Sequence, residues 1–166
     1  MNYVVLVDEK DQEVGREEKI KAHLGEGKLH RAFSVFVFNN KGELLIQKRA
    51  KEKMLWGEYW SNTCCSHPAP NEELLTAGER RLFEELGFSC DLEEVGSFVY
   101  SAKFKDIGSE NEFCYVLKGS YDGEVNPSPE EVEEMKWISL DDLKKEVEQS
   151  PEKFTPWFIQ EIRKFF

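Results

Sequence analysis

The order of apolar and polar positions predicts strands and helices that mix without regular βαβ alternation. Residues 3–7 are a β-branched run and read as a first strand. Residues 16–22 are polar and read as a helix, followed by a loop at Gly25-Glu26-Gly27. Residues 32–38 are a strong strand, and Asn39-Asn40-Lys41-Gly42 is a hairpin-type turn into a second strand at 43–48. Residues 54–68 are irregular and rich in aromatics. The clearest helix covers 72–86, with Leu75, Leu82 and Leu86 expected on one face and Gly87 where the helix stops. Strands are expected at 95–104 and 111–117. Within the ambiguous stretch 131–138, residues 135–138 carry the strand pattern. Ser139-Leu-Asp-Asp resembles a capping box opening a helix to about Gln149. Thr155-Pro156 supplies an N-cap and a proline at N1 for a last helix ending near Phe166. No linker, repeat or low-complexity segment interrupts this order. The pattern predicts one α/β domain, residues 1–166, with a mixed sheet.

Composition supports a packed core: 40% of the 166 residues are hydrophobic, and 12 Phe and 4 Trp argue against disorder despite a 33% charged fraction. No apolar run approaches the ~20 residues that span a bilayer, and residues 1–8 lack the basic start and cleavage site of a signal peptide. A soluble, cytoplasmic monomer without membrane or nucleic-acid partners is the expectation. The net charge of −11 disfavours a nucleic-acid or anionic-membrane binder. Residues 16–53 nevertheless hold ten Lys/Arg against five Glu. A basic patch in an acidic chain suits a small anion.

The four cysteines, Cys64, Cys65, Cys90 and Cys114, do not form a disulfide framework or a repeated C-x-x-C zinc motif. Cys90 and Cys114 read as small buried apolar residues. His23, His30 and His67 are the chain's three histidines, and the spacing of the first two is wrong for a ligand pair on one helical face, since seven positions are about two turns, or about 10 Å. Cys65-x-His67 and Glu110-x-Glu112 each put two functional side chains on the same side of an extended backbone. Glu112 enters the apolar run Phe113-Cys114-Tyr115-Val116, where an ionised carboxylate requires a partner, and a bound cation would supply it. Three imidazoles and two carboxylates suit an octahedral divalent ion such as Mn²⁺ or Mg²⁺, with Zn²⁺ also compatible.

Ser66-x5-Glu72-x7-Arg80-Arg81-Leu82-Phe83-Glu84-Glu85-Leu86-Gly87-Phe88 resembles the Nudix signature G-x5-E-x7-R-E-U-x-E-E-x-G-U, departing from it at Ser66 and Arg81. Further segments narrow the likeness: the run from Trp60 to Pro68, Glu110-Asn-Glu112, His23 with Leu29-His30, and Thr155-Pro-Trp157. Together they resemble the type 1 isopentenyl-diphosphate Δ-isomerases over nearly the whole chain. The resemblance implies a Nudix-type α/β/α sandwich with a mixed central sheet. It also implies interconversion of isopentenyl and dimethylallyl diphosphates in isoprenoid biosynthesis. The alternative is a Nudix pyrophosphohydrolase acting on a nucleoside diphosphate derivative, against which the loss of a family glutamate at Arg81 counts.

By the same resemblance, Cys65 and Glu112 are the catalytic cysteine and glutamate, and Tyr100 and Trp157 are the aromatics flanking the alkene. His23, His30, His67, Glu110 and Glu112 match the metal ligands. Glu85 matches a carboxylate associated with a second Mg²⁺ on the substrate. Lys19, Arg49, Lys53 and Arg81 match the residues that contact the diphosphate. A flavin is not expected, since neither a barrel-like chain nor a Gly-rich phosphate loop is present. Double-bond transposition needs proton gain at one carbon and loss at another, through a species resembling a tertiary carbocation. The site must therefore be dry, with a π face such as that of Trp157 beside the charge, worth ~2 kcal/mol when desolvated. Neighbours on an extended segment point opposite ways, which makes the cysteine pair an internal control. Cys64→Ala should keep near-wild-type turnover while Cys65→Ala loses nearly all of it; steady-state rates of the two variants check this, and the reverse pattern would show the register to be wrong.

Overall fold

The structure is a computed structural model that describes residues 2–166; Met1, where the expected domain begins, lies outside the described residues. The elements are β1 (Tyr3–Val7), β2 (Glu13–Glu18), α1 (Lys19–His23), β3 (His30–Phe38), β4 (Glu43–Arg49), β5 (Trp60–Ser61) and β6 (Cys64–Ser66). They continue with α2 (Leu74–Leu86), β7 (Leu92–Phe104), β8 (Gly108–Ser120), β9 (Val132–Ser139), α3 (Leu140–Gln149), a 3₁₀ turn (Pro151–Lys153) and α4 (Pro156–Phe165). The strands form one mixed sheet.

β3 organises that sheet. Its apolar residues are buried on both faces, which explains a near-continuous hydrophobic run instead of an alternating one. Phe36 and Phe38, with Leu44 and Ile46 of β4, pack against Leu143 and Val147 of α3 and Phe158 and Ile162 of α4. Phe33, Val35, Val37 and Leu45 pack on the other side against Ala77, Leu82 and Leu86 of α2. Helices thus cover both faces, giving the expected α/β/α layers.

β3 also runs parallel to β8 from His30↔Glu112 to Phe38↔Ser120, and β8 pairs antiparallel with β7. β3 and β4 meet directly only at Phe38↔Leu44 among the described pairs, then part. β6 adds to β3 and β5 adds to β4 in the opening. Thr63 ties the two sides together, its Oγ1 donating to Leu45 O (2.6 Å) and accepting from the Val37 N–H (2.9 Å). The irregular aromatic segment is therefore built into the sheet, and this is what positions Cys65.

Several expectations are corrected. Residues 16–18 belong to β2, paired with β1, and the helix is confined to Lys19–His23; cross-strand pairing overrides a weak helical preference. Leu75 is exposed and does not share the buried face of Leu82 and Leu86, which Ala77 and Gly78 complete. Thr155 does not cap α4 through its side chain; its hydroxyl is engaged with Ser61 Oγ at 3.0 Å. Cys90 is half-buried, whereas Cys114 is buried. Ser139 caps α3 as expected, accepting from Asp142 N–H at 3.2 Å, and Gly87 stops α2 at φ 74°, where a Cβ would be strained. All four cysteines are free, and no helix among the described residues is long and apolar enough to cross a membrane.

Glu161 of α4 is fully buried. Its Oε2 accepts weakly from Cys114 Sγ at 3.8 Å, and Oε1 has no hydrogen-bond partner among the described residues. Burial raises its pKa well above the ordinary 4.5, aided by the Glu112 charge and opposed by hydrogen bonds from Ser34 and Cys114. The native chain keeps a proton there that the unfolded chain releases, so this group makes stability fall as pH rises above 4.5. Glu161→Gln, neutral throughout, should gain stability relative to wild type as pH increases from about 5 to about 7. Urea unfolding at several pH values measures it; a pH-independent difference would contradict the buried neutral acid.

Candidate active site

Five side chains converge at the His30 end of the β3–β8 pair. Parallel pairing sets His30 beside Glu112, and the period of two along β8 puts Glu110 on the same face. His23 ends α1 and His67 follows β6. A close bridge between Leu24 and Gly108 brings α1 to the start of β8. A Cβ at Gly108 would stand 2.4 Å from His23 O, so this approach needs glycine. One nitrogen or oxygen from each of His23, His30, His67, Glu110 and Glu112 lies within 4.8 Å of all the others.

The donor chemistry shows what this cluster is built for. His23 Nδ1 donates to Lys19 O (2.6 Å) and His30 Nδ1 donates to Lys28 O (2.8 Å). In the neutral form each imidazole turns the lone pair of Nε2 into the cluster; burial acts to lower the His23 pKa, but Glu110 outweighs it and raises it. These lone pairs face carboxylate oxygens: His23 Nε2 lies 3.1 Å from Glu110 Oε2, and His67 Nε2 lies 3.2 Å from Glu112 Oε2. His30 Nε2 is buried, 3.4 Å from Glu112 Oε2, and has no hydrogen-bond partner among the described residues. Carboxylate oxygens and imidazole nitrogens this close in a buried site need a shared cation between them, a proton or a metal ion. Burial, reinforced by the neighbouring His30 and His23, pushes the His67 pKa well down and leaves its lone pair free. Burial acts to raise the Glu112 pKa, but His30 and the Tyr100 hydroxyl outweigh it and hold the carboxyl below its ordinary value. The cluster fits a divalent metal ion.

Tyr100, the β7 residue opposite Glu112, donates its hydroxyl to Glu112 Oε1. Cys65, in the middle of β6, faces the same cavity, whereas Cys64 points into the core beside α2. Burial pushes the Cys65 thiol up to about 12, with Arg49 opposing and the nearby glutamates adding to the rise. Trp157, in the first turn of α4, is 2% exposed and donates Nε1–H to Asn62 Oδ1 at 3.3 Å. Trp56 stands edge-on to the Trp157 ring at 5.3 Å, and the Arg49 guanidinium lies 5.4 Å from its centroid. A cavity of about 330 Å³ joins these groups, its lining including Cys65, Tyr100, Glu110, Glu112 and Trp157 together with Lys19, Arg49, Lys53 and Arg81. Burial, with Lys53 and Arg81 alongside, lowers the Lys19 pKa.

Three basic side chains are more committed than their sequence suggests. Arg49 donates Nε–H to Trp56 O (3.2 Å) and Nη2–H to Leu55 O (3.1 Å), holding the 54–58 loop against the cavity. Lys53 pairs with Glu131, and Arg81 pairs with Glu84 (2.6 Å), Glu85 (2.6 Å) and Glu131 (3.3 Å). Glu85 stands apart from the five-residue cluster and is buried, its second oxygen accepting from Gln47 Nε2 at 3.3 Å. Glu131, Gln47 and Asn62 were not legible beforehand. Glu131 and Gln47 belong to no local motif, Asn62 lies within the run from Trp60 to Pro68 without a role that the run itself reveals, and each acts through a partner distant in the chain.

Residues 28–158 match the NUDIX domain, which defines the class of fold. Among solved structures, DR0079 from Deinococcus radiodurans aligns over 99% of each chain with a TM-score of 0.80 at 19% identity. The MutT protein from Methanosarcina mazei Go1 aligns over 82% of this chain and 92% of its own with a TM-score of 0.69 at 20% identity. At such identities these two speak to the fold alone. The curated relatives are far nearer in sequence. The isopentenyl-diphosphate Delta-isomerase of Burkholderia multivorans is 46% identical over 155 residues, covering 93% of this chain and 88% of that protein. Isopentenyl-diphosphate Delta-isomerase 1 of Photorhabdus laumondii is 45% identical over 163 residues, covering 97% and 93%. The chain belongs to the isopentenyl-diphosphate Delta-isomerase family of NUDIX proteins.

A divalent ion bound only by the folded chain should raise Tm by mass action. Mn²⁺ added to metal-free protein is expected to do so. In His67→Gln, the affinity measured by titration calorimetry should fall about tenfold or more. An unchanged Tm response in that variant would mean that the cluster is not where the ion sits.

Proposed function

We propose that this chain interconverts isopentenyl and dimethylallyl diphosphates, with Cys65 and the Glu112–Tyr100 pair as the proton-transfer groups. The observation that carries the reading is that one cavity of about 330 Å³ is lined by both groups, a buried tryptophan face and four cations. Lys19, Arg49, Lys53 and Arg81 bind the diphosphate, which does not react. Their work is to hold a short alkene in register between the two proton-transfer groups, where gains in effective concentration arise. One group delivers a proton to the terminal methylene, making it a methyl group and leaving positive charge on the branched carbon. The other removes a proton from the carbon next to the diphosphate-bearing one, and the double bond forms there. The roles exchange in the reverse direction, so no proton is consumed. Trp157 offers its π face to the transient charge and cannot attack it.

His23, His30, His67, Glu110 and Glu112 are the residues that would hold Mg²⁺, Mn²⁺ or Zn²⁺, whose charge would fix the Glu112 carboxylate and tune its basicity. Glu85 is the carboxylate proposed to serve a second Mg²⁺ that accompanies the diphosphate. The hydrolase reading is disfavoured by Arg81. Its guanidinium neutralises both Glu84 and Glu85, the acidic pair through which the Nudix signature would gather metal for diphosphate cleavage.

Incubation in D₂O tests the proposal. Isopentenyl diphosphate should acquire deuterium in the dimethylallyl product, read by NMR, and chelation should abolish the labelling. Unlabelled product, labelling indifferent to chelator, or robust phosphate release from nucleoside diphosphate derivatives without isomerisation would overturn it.

A further inference from the structure

The apolar residues lining the cavity differ in exposure. Leu55, Tyr100 and Trp157 are 4%, 5% and 2% exposed, whereas Ile20 and Met54, which line the same cavity, are 57% and 40% exposed. These two come from separate segments, Ile20 from α1 and Met54 from the loop after β4. Each directly follows a cavity lysine, in Lys19-Ile20 and Lys53-Met54. Like charges repel, so the two lysines favour an anion seated between them. An anion held by both lysines would have these two exposed apolar side chains beside it in the cavity lining.

We propose that Ile20 and Met54 are specificity-determining residues that close over the five-carbon tail and exclude water, so that the cationic intermediate loses a proton instead of capturing a hydroxyl. The inference rests on the isomerase reading above. The competing step is balanced without any further reagent. After the terminal methylene gains its proton, a water oxygen bonds to the branched cationic carbon and gives up one proton, leaving a tertiary alcohol diphosphate. Isomerisation returns the starting composition, whereas capture adds one H₂O. The two fates differ in mass, and the oxygen source can be labelled.

The metal-loaded full chain is assayed with isopentenyl diphosphate in ¹⁸O-water, and products are separated by mass spectrometry. Wild type should yield dimethylallyl diphosphate with labelled alcohol as a trace fraction at most. The double variant Ile20→Ser/Met54→Ser, at exposed positions where substitution perturbs folding little, should raise the labelled-alcohol fraction about tenfold or more over wild type. KM should change less than kcat, since the four cations are untouched. The control Ile20→Leu/Met54→Leu should restore the wild-type product ratio. A serine double variant with wild-type kcat and no labelled alcohol overturns the proposal. So does one with wild-type Tm that loses isomerisation without forming alcohol, and so does a leucine control that leaks as much as serine. A wild-type chain without isomerase activity overturns this proposal together with the reading beneath it, and the wild-type assay tells that case from failure of the closure idea alone.

Discussion

Imidazole nitrogens and carboxylate oxygens packed together at the His30 end of β3 and β8 constrain everything around them. Two imidazoles give their Nδ1 protons to backbone carbonyls and face carboxylates with lone pairs. Such a cluster is held together only when a cation is shared among its members, because desolvated like poles otherwise push apart. The scaffold that imposes the arrangement is rigid: parallel β3–β8 pairing, antiparallel β7–β8 pairing, and the glycine-dependent approach of α1 to β8. Glu112 stands where these three constraints meet, and it links the metal cluster to Tyr100 and the reaction cavity.

Charge is distributed with the same economy. An acidic chain gathers four cations around one cavity, and two of them, Lys53 and Arg81, are paired with carboxylates. Arg81 shows how a shared fold is turned to different chemistry. Placed on the helix that carries the Nudix acidic pair, it occupies those carboxylates and presents its remaining positive potential to the cavity. The residue that weakens the case for hydrolysis also strengthens the case for binding an unreacting diphosphate.

The aromatic wall depends on polar support behind it. Asn62 is fully buried; its amide donates to Val35 O and Cys64 O and accepts from Ser61 Oγ and Trp157 Nε1. Every polar position of that side chain is satisfied, so it can orient an indole inside the protein without an unpaired dipole. Trp56 and Arg49 complete the mounting, and Trp56 adopts φ 51°, a conformation held by the two Arg49 hydrogen bonds to the loop carbonyls. A ring fixed in this way presents a face, whereas a mobile ring would present edges and gaps.

Local features were legible in the chain because local physics sets them. The apolar run of β3, the Gly87 stop, the Ser139 cap and the opposite orientations of Cys64 and Cys65 each follow from the period of side chains or the conformational range of one residue. The two pairs of functional side chains spaced by one residue, Cys65 with His67 and Glu110 with Glu112, follow from the same period. Residues 16–18 escaped because their strand exists only through pairing with β1, and Leu75 because an apolar residue near a helix start need not reach the core. Sequence alone could nominate His23, His30, His67, Glu110 and Glu112 but not bring them together, since their separations in the chain carry no distance information. Tertiary structure decided that they meet, that β5 and β6 fill the opening between β3 and β4, and that Arg81 is bound to Glu84 and Glu85. Those outcomes depend on strand order and on partners far apart in the chain, which no window of neighbouring residues can encode.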